Sequence, residues 1–273
     1  MSERMPVIFV SHGAPDALLK APDAVACWRE IAQRVPEPTG ILVVSAHWET
    51  RQPTVSLSGA PETIHDFGGF SPVLHRMQYH APGAPALAER VVSLLSSAGM
   101  VADLHPSRGL DHGAWVPLSV MYPHANVPVT QLSLARNRGA ATQFELGKML
   151  APLREEGILI LASGAITHNF AWLDWHAEGD QAPFPKALAF SEWVAERVTE
   201  KDFSALIEYR CAPLGSESHP TEEHFLPFLV ALGAAGGEAS QRYRPRFSYG
   251  GLSMDAYRWG NSADVVLAEK IND

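Results

Sequence analysis

The chain has 273 residues, is 46% hydrophobic and 19% charged, and carries a formal net charge of −9 at pH 7. This is the composition of a globular protein whose core needs no disulfide or metal staples, and without a basic block it argues against nucleic acid as a partner. Neither a signal-peptide core nor a membrane span is readable behind Met1-Ser2-Glu3-Arg4-Met5-Pro6, and Cys27 and Cys211 match no zinc or redox spacing, so the expected setting is reducing and cytoplasmic.

The predicted elements alternate along the chain. A β-rich run over 7–10 leads into Ser11-His12-Gly13-Ala14-Pro15. The run over 41–45 is the most apolar of the chain and leads into Ala46-His47-Trp48-Glu49, and a further strand is expected over 54–58. Next comes the loop Pro61-Glu62-Thr63-Ile64-His65-Asp66-Phe67-Gly68-Gly69-Phe70, polar, aromatic and long enough to suggest function. Helical periodicity over 86–98 puts Leu87, Val91, Val92, Leu94 and Leu95 on one stripe. A second such loop, Gly109-Leu110-Asp111-His112-Gly113-Ala114-Trp115, precedes a strand over 128–134 and a helix over 141–155. The strand over 158–162 leads into Ser163-Gly164-Ala165-Ile166-Thr167-His168-Asn169. A helix over 185–199 follows, and another starts near Thr221, a fair N-cap with Glu222 and Glu223 in the first turn. The stretch 233–237 reads as a turn before a last strand over 244–248. Such alternation predicts an α/β fold, one catalytic domain spanning 1–273, with a central, largely parallel or mixed sheet flanked by helices.

Twelve histidines stand in this frame, three of them just past apolar strands. Ligands of open α/β sheets bind outside the carboxyl ends of the strands, and histidine is the commonest metal ligand of proteins. His12 is a ligand or a backbone-bonded turn residue, and His47 a site residue or a satisfied boundary residue. His168 is a ligand or a general base, since a neutral imidazole with a pKa of about 6.5 suits that work. Asn169 or Thr167 equally suits capping there. His112 follows Asp111, an acid that could orient an imidazole. His224, among Phe225, Leu226, Phe228 and Leu229, reads by itself as a core-edge residue, and His219 has a weaker case. His75, His80, His105, His124 and His176 read as surface residues. Gly68-Gly69 has neither a P-loop lysine nor dinucleotide spacing, and no Gly-x-Ser-x-Gly elbow occurs.

Taken together, these segments and Pro220-Thr221-Glu222-Glu223-His224, in this order, resemble the 4,5-DOPA extradiol dioxygenases of the class III, LigB-like ring-cleaving superfamily. The resemblance runs from His12 to Gly250-Gly251-Leu252-Ser253-Met254. It implies a metal held by His12, His47 and His224, with His168 either the acid/base behind it or a further ligand. It implies that His112 contacts substrate or oxygen, and that either His112 or His168 protonates the leaving oxygen. Fe(II) is the implied ion for ring cleavage, although three imidazoles also suit Zn²⁺; the superfamily's usual carboxylate ligand would have to come from Glu222 or Glu223. The implied reactants are a catecholic aromatic and O2, with no membrane or nucleic-acid partner. His65, Trp48, Phe67, Phe70 and Trp115 are candidate walls of a flat pocket. Arg51, Arg76 and Arg108 are loop cations that a carboxylate tail could meet. Two rivals share the architecture: a zinc-dependent hydrolase, and a Memo-type protein that keeps the metal-like pocket for binding alone.

Overall fold

The most apolar runs of the chain become neighbouring parallel strands at the centre of one sheet, buried on both faces as such strands must be. The structure, a computed structural model, describes residues 4–176 and 182–260. In chain order its elements are β1 (Val7–Ser11), α1 (Ala17–Lys20), α2 (Pro22–Gln33), β2 (Gly40–Thr50), β3 (Thr54–Ser56), α3 (Pro85–Ser97), β4 (Asp103–His105), α4 (His112–Met121), β5 (Val129–Ala135), α5 (Gly139–Leu150), β6 (Ile158–Gly164), α6 (Pro185–Glu200), α7 (Phe203–Ile207), α8 (Gly215–Ser218), α9 (Leu226–Ala235), β7 (Ser240–Tyr243) and β8 (Ala256–Trp259). The strands form one sheet in the order β4-β3-β5-β2-β6-β1-β8-β7. β6 pairs in parallel with both β1 and β2, and β2 in parallel with β5. β8 runs antiparallel to β1 and β7. The sheet is therefore mixed, with its parallel part at the centre.

Alternation along the strands divides the core into two layers. Phe9, Leu42, Val44 and Ile160 face one side, with Phe228 and Leu229 of α9 and Leu146 of α5. Ile8, Val10, Val43 and Leu161 face the other, with Trp28 and Ile31 of α2 and Trp115 and Leu118 of α4. Each such side chain stabilises the fold by about 1.5–3 kcal/mol on burial. Every residue of α9 is buried, so its sequence is apolar all round rather than striped.

Several boundaries differ from the sequence expectation, each for a local reason. The second loop is cut short because α4 starts at His112; its apolar, nearly fully buried residues and internal Pro117 gave no amphipathic stripe. The helix over 141–155 is α5 followed by a 3-10 segment at Ala151–Glu156. The segment 244–248 is not a strand: Pro245 has no N–H for a ladder, and Arg244 and Arg246 pair with Glu192 and Asp23. The edge is built by β7 and β8 instead. Thr221 caps nothing, because its hydroxyl donates to Glu223 Oε1 at 2.9 Å and the helix begins only at Leu226. Pro227 sits in the first turn of α9, where its missing N–H costs nothing.

Candidate metal centre and active-site cavity

The parallel pairing brings three strand ends level. Ser11 lies opposite Gly164, and Ser45 opposite Ser163. His12 follows β1 directly, its amide donating to Gly164 O at 3.0 Å, and is 1% exposed. His47 is not past its strand but inside β2, where the register with β5 shifts between Val44 and Glu49. Such an irregularity bends a strand and re-aims its side chains. His224 arrives from the turn before α9, its carbonyl accepting from the Ala165 amide at 2.8 Å.

The hydrogen bonds behind the rings decide where the lone pairs point. Ser163 Oγ donates to Gly113 O at 2.5 Å, so it accepts from His12 Nδ1 at 2.8 Å. His12 Nε2 is then the unprotonated nitrogen. His47 Nδ1 lies 3.4 Å from Asp66 Oδ2, which favours the proton on that nitrogen. The two Nε2 atoms face each other at 3.0 Å. Metal–nitrogen bonds of about 2.0–2.1 Å would set two ligand nitrogens about 3.0–3.4 Å apart, so the pair fits a shared cation. His224 completes the group, all ligand atoms of His12, His47 and His224 lying within 4.8 Å of one another, while its Nδ1 faces Glu223 Oε1 at 3.0 Å. Hydrogen-bonded outer partners of this kind fix the orientation of metal-binding imidazoles.

Two glycines make this approach possible. A Cβ on Gly164 would stand 2.2 Å from His224 O. One on Gly113 would stand 2.4 Å from Ser45 Oγ and 3.2 Å from His12 Nδ1. Any side chain at either place would push a proposed ligand away.

Burial sets the protonation of the cluster. It drives His12 and His224 well below the ordinary 6.5, helped by the neighbouring histidines. Burial and nearby His112 lower His47 to about 4 against the pull of Asp111, Asp66 and Glu223. Burial likewise lowers His168 to about 4, against Glu223. These rings are neutral near pH 7, the form that binds a metal. Asp66 moves the other way. Burial raises it, but the hydrogen bond from His112 and the proximity of His112 and His47 hold it at about 2.

His168 lies on the chain beyond β6, its amide donating to Ser218 O at 2.9 Å. Its ring stacks on His224 with centroids 3.4 Å apart. Asn169, not His168, caps the next segment, accepting from the Ala171 amide at 2.9 Å. His112 opens α4, and both its amide and its Nδ1 donate to Asp66 Oδ1 at 2.9 Å. The orienting acid is thus Asp66. Asp111 instead binds Ser45 Oγ at 2.7 Å, Gln131 and Arg108. Only the glycine-rich loop around Asp66 hinted at its part, because its partner lies 46 residues away.

A cavity of about 740 Å³ opens onto His47, His112, His168 and His224, with Phe67, Phe70, Phe170 and Trp175 on its walls. Phe67 and Phe70 stand where the sequence suggested. The remaining three suggested wall residues lie outside the lining: Trp115 is buried behind it with Nε1 donating to Ile64 O, His65 donates to Met77 O, and Trp48 packs under Arg108. Of the loop cations, Arg108 is engaged by Trp48 and Asp111, and neither Arg51 nor Arg76 lines the cavity. His219 is fully buried and donates to Ile166 O at 2.8 Å. His75, His80, His105, His124 and His176 are exposed.

Residues 6–258 match the family described as the catalytic LigB subunit of aromatic ring-opening dioxygenase. The chain belongs to the LigB family. A 4,5-DOPA dioxygenase extradiol of Escherichia coli (strain K12) is 42% identical over 240 residues, covering 87% of this chain and 88% of that protein. One from Beta vulgaris is 41% identical over 235 residues, covering 84% and 86%. A crystal structure of an uncharacterized protein from Escherichia coli K12 superposes with a TM-score of 0.77 at 38% identity, over 94% of this chain and all of that one. This LigB-family protein is therefore a metal-dependent extradiol ring-cleaving dioxygenase, and the hydrolase and pure-binding alternatives fall away.

Proposed function

We propose that the cavity is the active site of an iron-dependent dioxygenase that opens the ring of a DOPA-like catechol, with His12, His47 and His224 as metal ligands. The observation that carries this reading is the convergence of the His12 and His47 Nε2 atoms at 3.0 Å, their Nδ1 sides turned to Ser163 and Asp66, beside an open cavity. Three imidazoles leave positions free for substrate, as a ring-cleaving iron site needs, and the same set accepts Zn²⁺ as a competitor for the nitrogens. When bound by His12, His47 and His224, Fe(II) would supply the Lewis acidity and the one-electron chemistry that let a catechol react with O2.

The side chains do the rest. His168, neutral and stacked on His224, takes a catechol hydroxyl proton on a ring nitrogen and returns it to the opened product. His112, anchored through Nδ1 to Asp66, presents its other nitrogen to the oxygen side of the reactants. Phe67 and Phe70 hold the ring flat and keep water out. Two unpaired cysteines, Cys27 and Cys211, suit a cytoplasmic setting, and among the described residues no helix is long and apolar enough to cross a membrane. The test is anaerobic loading with Fe(II), then L-DOPA and air. O2 uptake with a yellow semialdehyde product is expected; no uptake with L-DOPA or a simpler catechol would overturn the reading.

A further inference from the structure

His219 belongs to no metal-binding group and does not line the cavity, yet it is wholly buried. Tyr209, Phe190 and Phe225 surround its ring, with centroids 5.7, 5.9 and 5.0 Å away. Burying an imidazole in such a box costs free energy unless it is hydrogen-bonded. One polar contact accounts for it: Nε2 donates to Ile166 O at 2.8 Å, while Nδ1 has no hydrogen-bond partner. A neutral imidazole has one donor nitrogen, and here that donor is spent on a carbonyl two residues before His168.

This bond is one of three along the same stretch. The His168 amide donates to Ser218 O at 2.9 Å, and Asn169 Nδ2 donates to Glu217 O at 2.6 Å. Residues 217–219 thus form a strap running opposite to 166–169, bonded before, at and after His168. Arg210 Nη1 anchors the strap by donating to His219 O at 3.1 Å. Five residues beyond His219 the same chain reaches His224, on whose ring His168 stacks with centroids 3.4 Å apart and planes 9° apart. The strap that holds the base is therefore continuous with the turn that presents its stacking partner.

We propose that His219 is a positioning residue for His168: by holding Ile166 O it fixes where the His168 ring stands over His224, and so the line along which a ring nitrogen meets the substrate proton. It touches neither substrate nor metal. The proposal rests on His168 acting as the acid/base. Without the Nε2 donor the buried Ile166 carbonyl loses a hydrogen bond, and the segment that carries His168 moves to recover one. Misplacement of a catalytic group by about 1 Å can cost about 100-fold in rate.

The experiment is a double-mutant cycle on the iron-loaded protein, read as kcat and KM for L-DOPA by O2 uptake, with iron content measured alongside. His219→Leu removes the donor and keeps an apolar body; His219→Gln keeps a side-chain N–H of similar reach. His219→Leu should lower kcat about 10–100-fold, the range for outer partners of functional imidazoles. Its KM should stay within about threefold and its iron content unchanged, and His219→Gln should recover most of the kcat. In a His168→Ala background His219→Leu should change kcat by less than about twofold, because the base it positions is gone. If His219→Leu does not fold, His219→Asn, whose amide is too short to reach Ile166 O, replaces it with the same expectations. A His219→Leu kcat within about twofold of wild type, an equal loss with and without His168, or loss of iron would overturn the proposal. His168→Ala with full kcat sinks the acid/base reading and this proposal with it. A large loss in His168→Ala beside an unchanged His219→Leu sinks the positioning role alone.

Discussion

Asp66→Asn is the sharpest probe of the metal centre. The carboxylate accepts two hydrogen bonds from His112 at 2.9 Å through one oxygen and faces His47 Nδ1 at 3.4 Å with the other. An amide keeps one acceptor and turns an NH2 toward the other imidazole. If that NH2 faces His47, its Nδ1 must give up the proton and its Nε2 take it, which removes a lone pair from the metal. The size of the effect follows from two routes. The fall of the Asp66 carboxyl from 3.8 to about 2 corresponds to about 2 kcal/mol, or about 1–2 kcal/mol after screening at a side chain 22% exposed. Loss of an outer partner of a metal-binding histidine costs about 10–100-fold in affinity, or about 1.4–2.7 kcal/mol. The assay is competition for Zn²⁺ or Fe(II) against a chelating dye at pH 7.5, with thermal unfolding as a control on the fold. A variant that binds metal within twofold of wild type would refute the reasoning.

His168→Ala should keep its metal, measured by elemental analysis, and lose about 10²–10⁴-fold in kcat; loss of the metal instead would make His168 a ligand. Gly164→Ala puts a methyl group 2.2 Å from His224 O, so it should destabilise the fold by about 1–3 kcal/mol in urea unfolding and lower metal content. Metal-free protein should lose stability in acid. His47 and His168 titrate at about 4 when folded and about 6.5 when unfolded, so between these values the unfolded chain binds more protons. Stability should be level above about pH 6.5 and fall toward pH 4 by about 1.4 kcal/mol per pH unit for each histidine; equal urea midpoints at pH 7.5 and 5.5 would contradict this.

The sheet was legible because its central strands are buried on both faces and read as unbroken apolar runs, so His12 announced itself just past β1 and His47 just past the apolar run of β2. His224 did not. Its ring reaches the cluster through the turn over 219–225, and the polar residues there mimicked a helix start at Thr221. α4 was hidden for the opposite reason, since a helix buried over nearly its whole surface, with Pro117 inside it, has no polar face to mark its period. Asp66 carries no local pattern at all. It takes its meaning from a partner that only the folded chain brings near, His112 across 46 residues. The aromatic residues nearest the histidine motifs misled in the same way, since Trp48 and Trp115 adjoin the cluster in sequence yet point into packing.

The proposed ligand set is mechanically unequal. His12 and His47 are fixed to two inner strands, whereas His224 hangs from a turn held to the sheet by the bond from the Ala165 amide to its carbonyl. Opening that one turn frees the third nitrogen and leaves the strands untouched. Ion exchange should therefore proceed at the pace of this latch, far faster than global unfolding, and the protein could swap zinc for iron without ever leaving its native state.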